Sequence, residues 1–176
     1  MINNKLYNIN KIINSSEYKI TNDFYYQQAK SCSNNSNCLK VKYGSVIALF
    51  EFNKLTNKYD SRIIANGFNF GRCSKQCNKI LNNEAGGSYE YCTSIHSEVN
   101  ALLAISSNDK DKILNNDSIS ILYLYGNPLI KKYDNFIAEP CNYCKNIMIN
   151  SKLIDAVVTF DRKAYKYINY DYFEVK

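Results

Sequence analysis

The chain has no tryptophan, one histidine, two prolines, six glycines and no long apolar run among its 176 residues. Its longest apolar stretches, around Val46–Phe52 and Ile119–Tyr125, fall far short of the roughly 20 residues a membrane-spanning helix needs. No membrane partner is therefore expected. Residues Met1–Ile20 are Asn-rich and interrupted by polar side chains, so they lack the continuous apolar segment of an export signal. The expected location is cytoplasmic. Without export, the seven cysteines read as metal ligands or reduced thiols rather than as a disulfide framework. No internal repeat is present.

What remains is a globular composition. Apolar residues make up 45% of the chain, with 16 Tyr and 8 Phe, and 20.3 kDa is enough for one domain to bury its own core. The formal charge of +6 favours anionic partners. Asn occurs 26 times, however, and Ile, Lys and Tyr are abundant; all four have AT-rich codons, so part of the lysine excess reflects genome composition. Basicity gives only weak support for a phosphate-bearing substrate.

Residues 1–22 show no clean period beyond a short helix over Lys5–Ile13, and read as an arm or extra element ahead of a single domain, 23–176. The Asn22-Asp23 pair predicts a helix start, with the helix running over Phe24–Lys30 and a loop over Ser31–Asn37. Val46–Phe52 reads as a buried strand, joined by the polar turn Asn53–Tyr59 to a hairpin partner, Ser61–Asn66. Gly67–Ser94 is broken by glycines, carries Cys73, Cys77 and Cys92, and is long for a structureless connection; such segments are usually functional or metal-stabilised. Beyond it the pattern predicts a helix over Ser97–Ser106, a strand over Ser118–Tyr125, a helix over Cys141–Ser151 and a strand over Ile154–Phe160. Strands alternating with helices imply a sheet covered on both faces.

The chemistry is concentrated in two short motifs. His96-Ser97-Glu98 is an H-x-E, and Pro140-Cys141-Asn142-Tyr143-Cys144 is a P-C-x-x-C. Cysteines three apart at a helix start project from one face, where the unsatisfied N–H groups and the helix dipole stabilise thiolates. Cys141 and Cys144 with the imidazole of His96 make three N/S ligands and leave the fourth tetrahedral position of Zn²⁺ for water, as a catalytic site requires. Zinc lowers the pKa of such a water to roughly 7, and Glu98 is placed to carry its proton onward. Taken singly, a lone His is usually a surface or packed residue and a lone C-x-x-C is as readily a redox pair or half of a structural zinc site. The conjunction, with strand-like segments before both motifs and helical ones after, carries the catalytic reading.

H-x-E combined with P-C-x-x-C is the signature of zinc-dependent nucleobase deaminases, and at these residues the chain resembles the cytidine and deoxycytidylate deaminase superfamily, most closely deoxycytidylate (dCMP) deaminases. The likeness runs from about Phe24 to Tyr165. Cys38 through Gly44-Ser45-Val46-Ile47-Ala48 resembles the segment in which a Cys and basic residues precede a Gly-Ala-Val-Ile-like strand. Ile64–Asn69 resembles the Gly-Tyr-Asn strand end, Ile95–Ala101 the Ile-His-Ala-Glu-x-Asn-Ala motif, and Asp161–Tyr165 the aromatic-bearing tail. The resemblance implies a three-layer α/β/α sandwich around a mixed, roughly five-stranded sheet, assembled as homo-oligomeric dimers or hexamers. It also implies that Asn69 hydrogen-bonds the sugar or base, that the backbone at Ser97 contacts the pyrimidine, and that Tyr165 walls the nucleotide site. A second, structural zinc is implied by the same resemblance, with Cys38, Cys73, Cys77 and Cys92 as its candidate ligands; free thiols are the alternative.

The activity implied is deamination of a small nucleotide, dCMP to dUMP with release of ammonia. Ser97 stands where the motif usually has Ala, Phe70-Gly71-Arg72 replaces a Gly-x-Pro, and Tyr125–Pro140 carries an insertion. Two alternatives stay open. One is a nucleic-acid deaminase acting on tRNA adenosine or cytidine, with Lys131, Lys132, Tyr133 and Arg162–Tyr170 supplying a basic and aromatic groove. The other is a non-catalytic zinc-binding assembly module.

Overall fold

The apolar run Ile119–Tyr125 lies in the central strand of a sheet that is buried on both sides. A computed structural model describes residues 2–71, 94–115, 118–129, 138–161 and 164–169, with residues 2–4 and 160–169 described by their backbone alone. The sheet has five strands: β1 (Val41–Asn53), β2 (Lys58–Phe68), β3 (Ser118–Pro128), β4 (Ala156–Asp161) and β5 (Ala164–Asn169). Their spatial order is β2-β1-β3-β4-β5. β1 is antiparallel to both β2 and β3, β3 and β4 are parallel, and β5 returns antiparallel to β4. The mixed sheet and its five strands are those that the resemblance implied.

Side chains alternate across a strand, and here both sets are apolar. Ile47 and Leu49 of β1, Leu122 and Leu124 of β3 and Val157 of β4 enter one core. Val46, Ala48 and Phe50, Ile119, Ile121 and Tyr123, and Ala156 and Val158 enter the other. This two-sided burial explains why β1 reads as a continuous apolar run rather than as an alternating strand.

Helices α1 (Ile2–Asn14) and α2 (Lys19–Ser33) close the second core. Ile9, Ile12 and Ile13 of α1 are buried there beside Tyr25, Tyr26 and Ala29 of α2. Asn22 does not cap a helix. It lies inside α2, donates its amide to the Ile12 carbonyl at 2.8 Å and accepts from the Tyr123 hydroxyl. The helix starts three residues earlier, after a 3₁₀ turn at Ser16–Tyr18, because a buried amide is worth more when it ties α1 to β3 than at a solvated helix start. α2 lies so close to β1 that a Cβ on Gly44 would sit 2.1 Å from the Ala29 carbonyl oxygen.

The first core is closed by α3 (Ser97–Leu103), α4 (Ser107–Leu114) and α5 (Asn142–Ser151). The helix expected over Ser97–Ser106 ends at Leu103, and a further helix the sequence reading did not give, α4, follows from Ser107. Ser106 caps α4, its hydroxyl accepting from the Asp109 N–H at 3.2 Å. α4 has few apolar residues, Ile113 alone being fully buried, which is why its periodicity is faint in the sequence. Among the described residues no helix is long and apolar enough to cross a membrane.

Candidate metal centre

Two chain segments bring the chemistry together, and each ends in a helix start. After β2 the backbone at Phe70 pairs with Ile95 through two hydrogen bonds of 3.0 and 2.8 Å, which aligns the chain entering α3. His96 is the residue before α3, in extended conformation, and its carbonyl accepts from the Asn100 N–H at 3.0 Å. The Asn100 amide in turn donates to the Phe68 carbonyl at 3.0 Å. α3 lies directly on β2 at Gly67, where an added Cβ would come within 2.4 Å of the Ser97 carbonyl oxygen and 2.5 Å of the Ala101 nitrogen. The glycine is needed for this close approach of two backbones.

Cys141 occupies the matching position before α5, and its sulfur accepts from the Cys144 N–H at 3.4 Å. The turn thereby places both sulfurs on the side facing α3. His96 Nδ1 lies 3.4 Å from Cys141 Sγ and 3.3 Å from Cys144 Sγ, and all three donor atoms are within 4.8 Å of one another. Zinc bonds of about 2.3 Å to sulfur and 2.0–2.1 Å to nitrogen, at tetrahedral angles, put donors roughly 3.5–3.8 Å apart. The cluster therefore fits Zn²⁺ with a small adjustment.

The electrostatics make the same case for a cation. Cys144 is fully buried, and its thiol is pushed up by hydrogen bonding to the Cys141 sulfur, by burial and by the charge of Glu98. Two sulfurs and a carboxylate are thus crowded into one apolar site, an arrangement that a divalent ion stabilises. Glu98 itself is buried, and burial raises its carboxyl above the ordinary range. Its own backbone N–H, the His96 ring and the Ser97 hydroxyl pull it back down, whereas Cys141 raises it further.

Ser97 is wholly buried between these groups. Its hydroxyl donates to Glu98 Oε2 at 2.9 Å, and the Ser45 hydroxyl donates to Ser97 Oγ at 2.8 Å. The structure therefore collects His96, Ser97, Glu98, Cys141 and Cys144 at one point. Asn69 makes a different set of bonds: its Oδ1 accepts from the Ser36 hydroxyl at 2.6 Å and the Tyr43 N–H at 2.7 Å, and its Nδ2 donates to the Val41 carbonyl at 2.9 Å. Its side chain ties the loop at Ser36 and the start of β1 to the end of β2. Tyr165 lies in β5 opposite Phe160, and its side chain is outside the described residues. Cys38 is a half-buried thiol whose N–H bonds the Ser36 hydroxyl at 3.1 Å. Cys73, Cys77 and Cys92 lie outside the described residues, as do Lys131, Lys132 and Tyr133. The sequence reading missed Ser45 and the structural use of Gly67; the available signals were a lone hydroxyl at the head of an apolar run and a glycine at a strand end.

The structure is similar to dCMP deaminase from the cyanophage S-TIM5, at 18% identity over 79% of this chain and 81% of that one, with a TM-score of 0.44. It is also similar to cytidine deaminase from Burkholderia pseudomallei, at 13% identity over 84% and 91% with a TM-score of 0.44. A third likeness is to the Rib2 deaminase of Aspergillus oryzae, at 13% identity over 77% and 69% with a TM-score of 0.43. No curated protein sequence matches the chain. The family model for the cytidine and deoxycytidylate deaminase zinc-binding region matches residues 19–160, which spans β1 to β4 and every donor of the cluster, and the chain belongs to that family.

Proposed function

We propose that this protein is a zinc-dependent hydrolytic deaminase of a cytosine nucleotide, converting dCMP to dUMP and ammonia. The observation that carries the reading is the convergence of His96, Cys141 and Cys144 on one point with a buried carboxylate, Glu98, beside them. Zinc, when bound, supplies the Lewis acidity that makes a water nucleophilic near neutral pH. His96, Cys141 and Cys144 hold it. Glu98 accepts a proton from the attacking water and delivers it to the ring nitrogen next to the amine-bearing carbon, then takes the remaining proton of the added hydroxyl as the carbonyl forms and delivers it to the departing amine. Burial raises its proton affinity toward the range such a shuttle requires.

Asn69, the Ser97 backbone and Tyr165 are proposed to contact the nucleotide. The Asn69 amide also ties Ser36, Val41 and Tyr43 together at the end of β2. Cys38, Cys73, Cys77 and Cys92 are proposed to hold a structural zinc. The support is that Asn37 clamps Gly71 by two bonds of 2.7 and 3.1 Å, which brings the chain entering the cysteine-bearing segment beside Cys38. A homo-oligomer is the proposed assembly.

The test is ammonia release and product identity from the purified protein given dCMP, CMP, deoxycytidine, cytosine or a tRNA anticodon stem. Preferential turnover of dCMP is expected. Reaction with the RNA alone would replace this reading with nucleic-acid editing, and silence on all five with zinc bound would leave a metal-binding module.

A further inference from the structure

Ser45 and Ser97 come from different elements, β1 and the first turn of α3, and neither exposes any surface to solvent (0% each). Their hydroxyls are 2.8 Å apart, and Ser97 Oγ is 2.9 Å from Glu98 Oε2. The direction of the chain follows from proton counting. Ser97 donates its single proton to Glu98 Oε2 and, having spent it, accepts from Ser45. The two serines form a one-way relay that ends on the carboxylate. Both stand where the resembling motifs carry Ala, so the pair is a feature of this chain and not of the zinc site as such.

We propose that Ser45 and Ser97 are positioning residues for the deamination reaction, fixing the orientation of the Glu98 carboxylate through this two-hydroxyl relay. The proposal rests on the deaminase reading and deepens it. A carboxylate serving several proton transfers in one cycle must stay aligned with each partner, and free rotation about its last bonds would put an oxygen out of reach. Glu98 Oε2, gripped by Ser97, cannot rotate without breaking a buried hydrogen bond. Ser45 hydrogen-bonds the Ser97 hydroxyl and acts by denying it any other orientation.

The experiment compares wild type, S45A, S97A and the S45A/S97A double variant, each with its zinc content measured, for kcat, KM and melting temperature. Wild-type turnover on the cytosine substrates reads the deaminase assignment itself; silence there overturns both that assignment and the relay. With wild type active, S97A is expected to lower kcat by roughly ten- to a hundredfold and S45A by about tenfold or less, with KM and zinc content held. S97A also orphans the buried Ser45 hydroxyl, so its melting temperature falls. The double variant removes the orphan: it should melt above S97A yet keep the same low kcat, because Ser45 works only through Ser97. Unchanged kcat in both single variants overturns the relay. So does a double variant in which kcat recovers together with melting temperature, since the serines would then serve packing alone, and so does a rise in KM at constant kcat.

Discussion

At the scale of single residues the proposed mechanism divides the cluster into groups that would hold the ion and a group that would move protons, and mutation separates the two. Glu98→Ala is expected to retain zinc and lose roughly 10²- to 10⁴-fold in turnover, the usual contribution of a general acid–base. Cys144→Ala removes a buried ligand whose sulfur lies 3.3 Å from His96 Nδ1 and is expected to lose both zinc and turnover. Metal analysis beside the deaminase assay distinguishes them, and zinc loss from Glu98→Ala would make the carboxylate a ligand instead. His96, Glu98, Cys141 and Cys144 were all legible in the sequence, because metal chemistry dictates residue type and short spacing together. Ser45 was not legible. Its partner is 52 positions away, and nothing local to a strand announces a hydroxyl bond across to a helix.

Elements set how far that chemistry tolerates change. β2 and α3 touch backbone to backbone at Gly67, with α3 carrying Glu98 and starting directly after His96. Gly67→Ala forces the two apart, at a cost of about 1–3 kcal/mol or more, and moves His96 away from the two cysteines. Weaker zinc binding than wild type at a temperature where the variant is still folded is the expected result, measured by titration against a chelator. Helix α4 behaves differently because it carries none of the proposed site. Arg62 hydrogen-bonds Asp109 and holds its carboxyl below the ordinary value against the effect of burial, with help from the Ser106 hydroxyl and Lys112. A lowered native pKa means the unfolded chain binds the proton more readily. The stabilisation is therefore full above the ordinary carboxylate value of about 4 and is lost as pH falls through the lowered one. The stability gap between wild type and Asp109→Asn should be widest near neutral pH and close below about pH 4 in denaturant titrations, whereas Ser106→Ala, losing the cap, should cost about 1 kcal/mol. The start of β3 and the extent of α5 were readable from β-branched runs and the cysteine pair, although β3 runs on to Pro128, past the expected end at Tyr125. The boundaries of α2 were not, since a Ser-Tyr 3₁₀ turn started the helix at Lys19 and drew Asn22 inward.

Across the whole molecule the sheet divides labour between its faces. α3 and α5 lie on one side with the donors, and Cys144 is itself part of that core. α1 and α2 lie on the other, where Ile9, Ile12, Tyr25 and Tyr26 pack against Phe50 and Tyr123. The two-layer cover was foreseeable from alternating strands and helices; that α1 belongs to the core was not, because its apolar residues are spaced among asparagines that look like an arm. Large-to-small changes in the two cores should consequently have the same thermodynamic effect and different functional ones. Ile12→Ala and Met148→Ala each remove a side chain at 0% and 1% exposure and should each cost about 2–5 kcal/mol. Met148 is one helical turn beyond Cys144 on α5, so its cavity loosens the ligand-bearing helix as well. Zinc affinity and kcat per folded molecule should fall for Met148→Ala and hold for Ile12→Ala, as read by metal titration and by assay well below each variant's melting temperature. Equal losses in both would mean that the sheet transmits strain from one face to the other, and that α1 supports the chemistry as directly as α5 does.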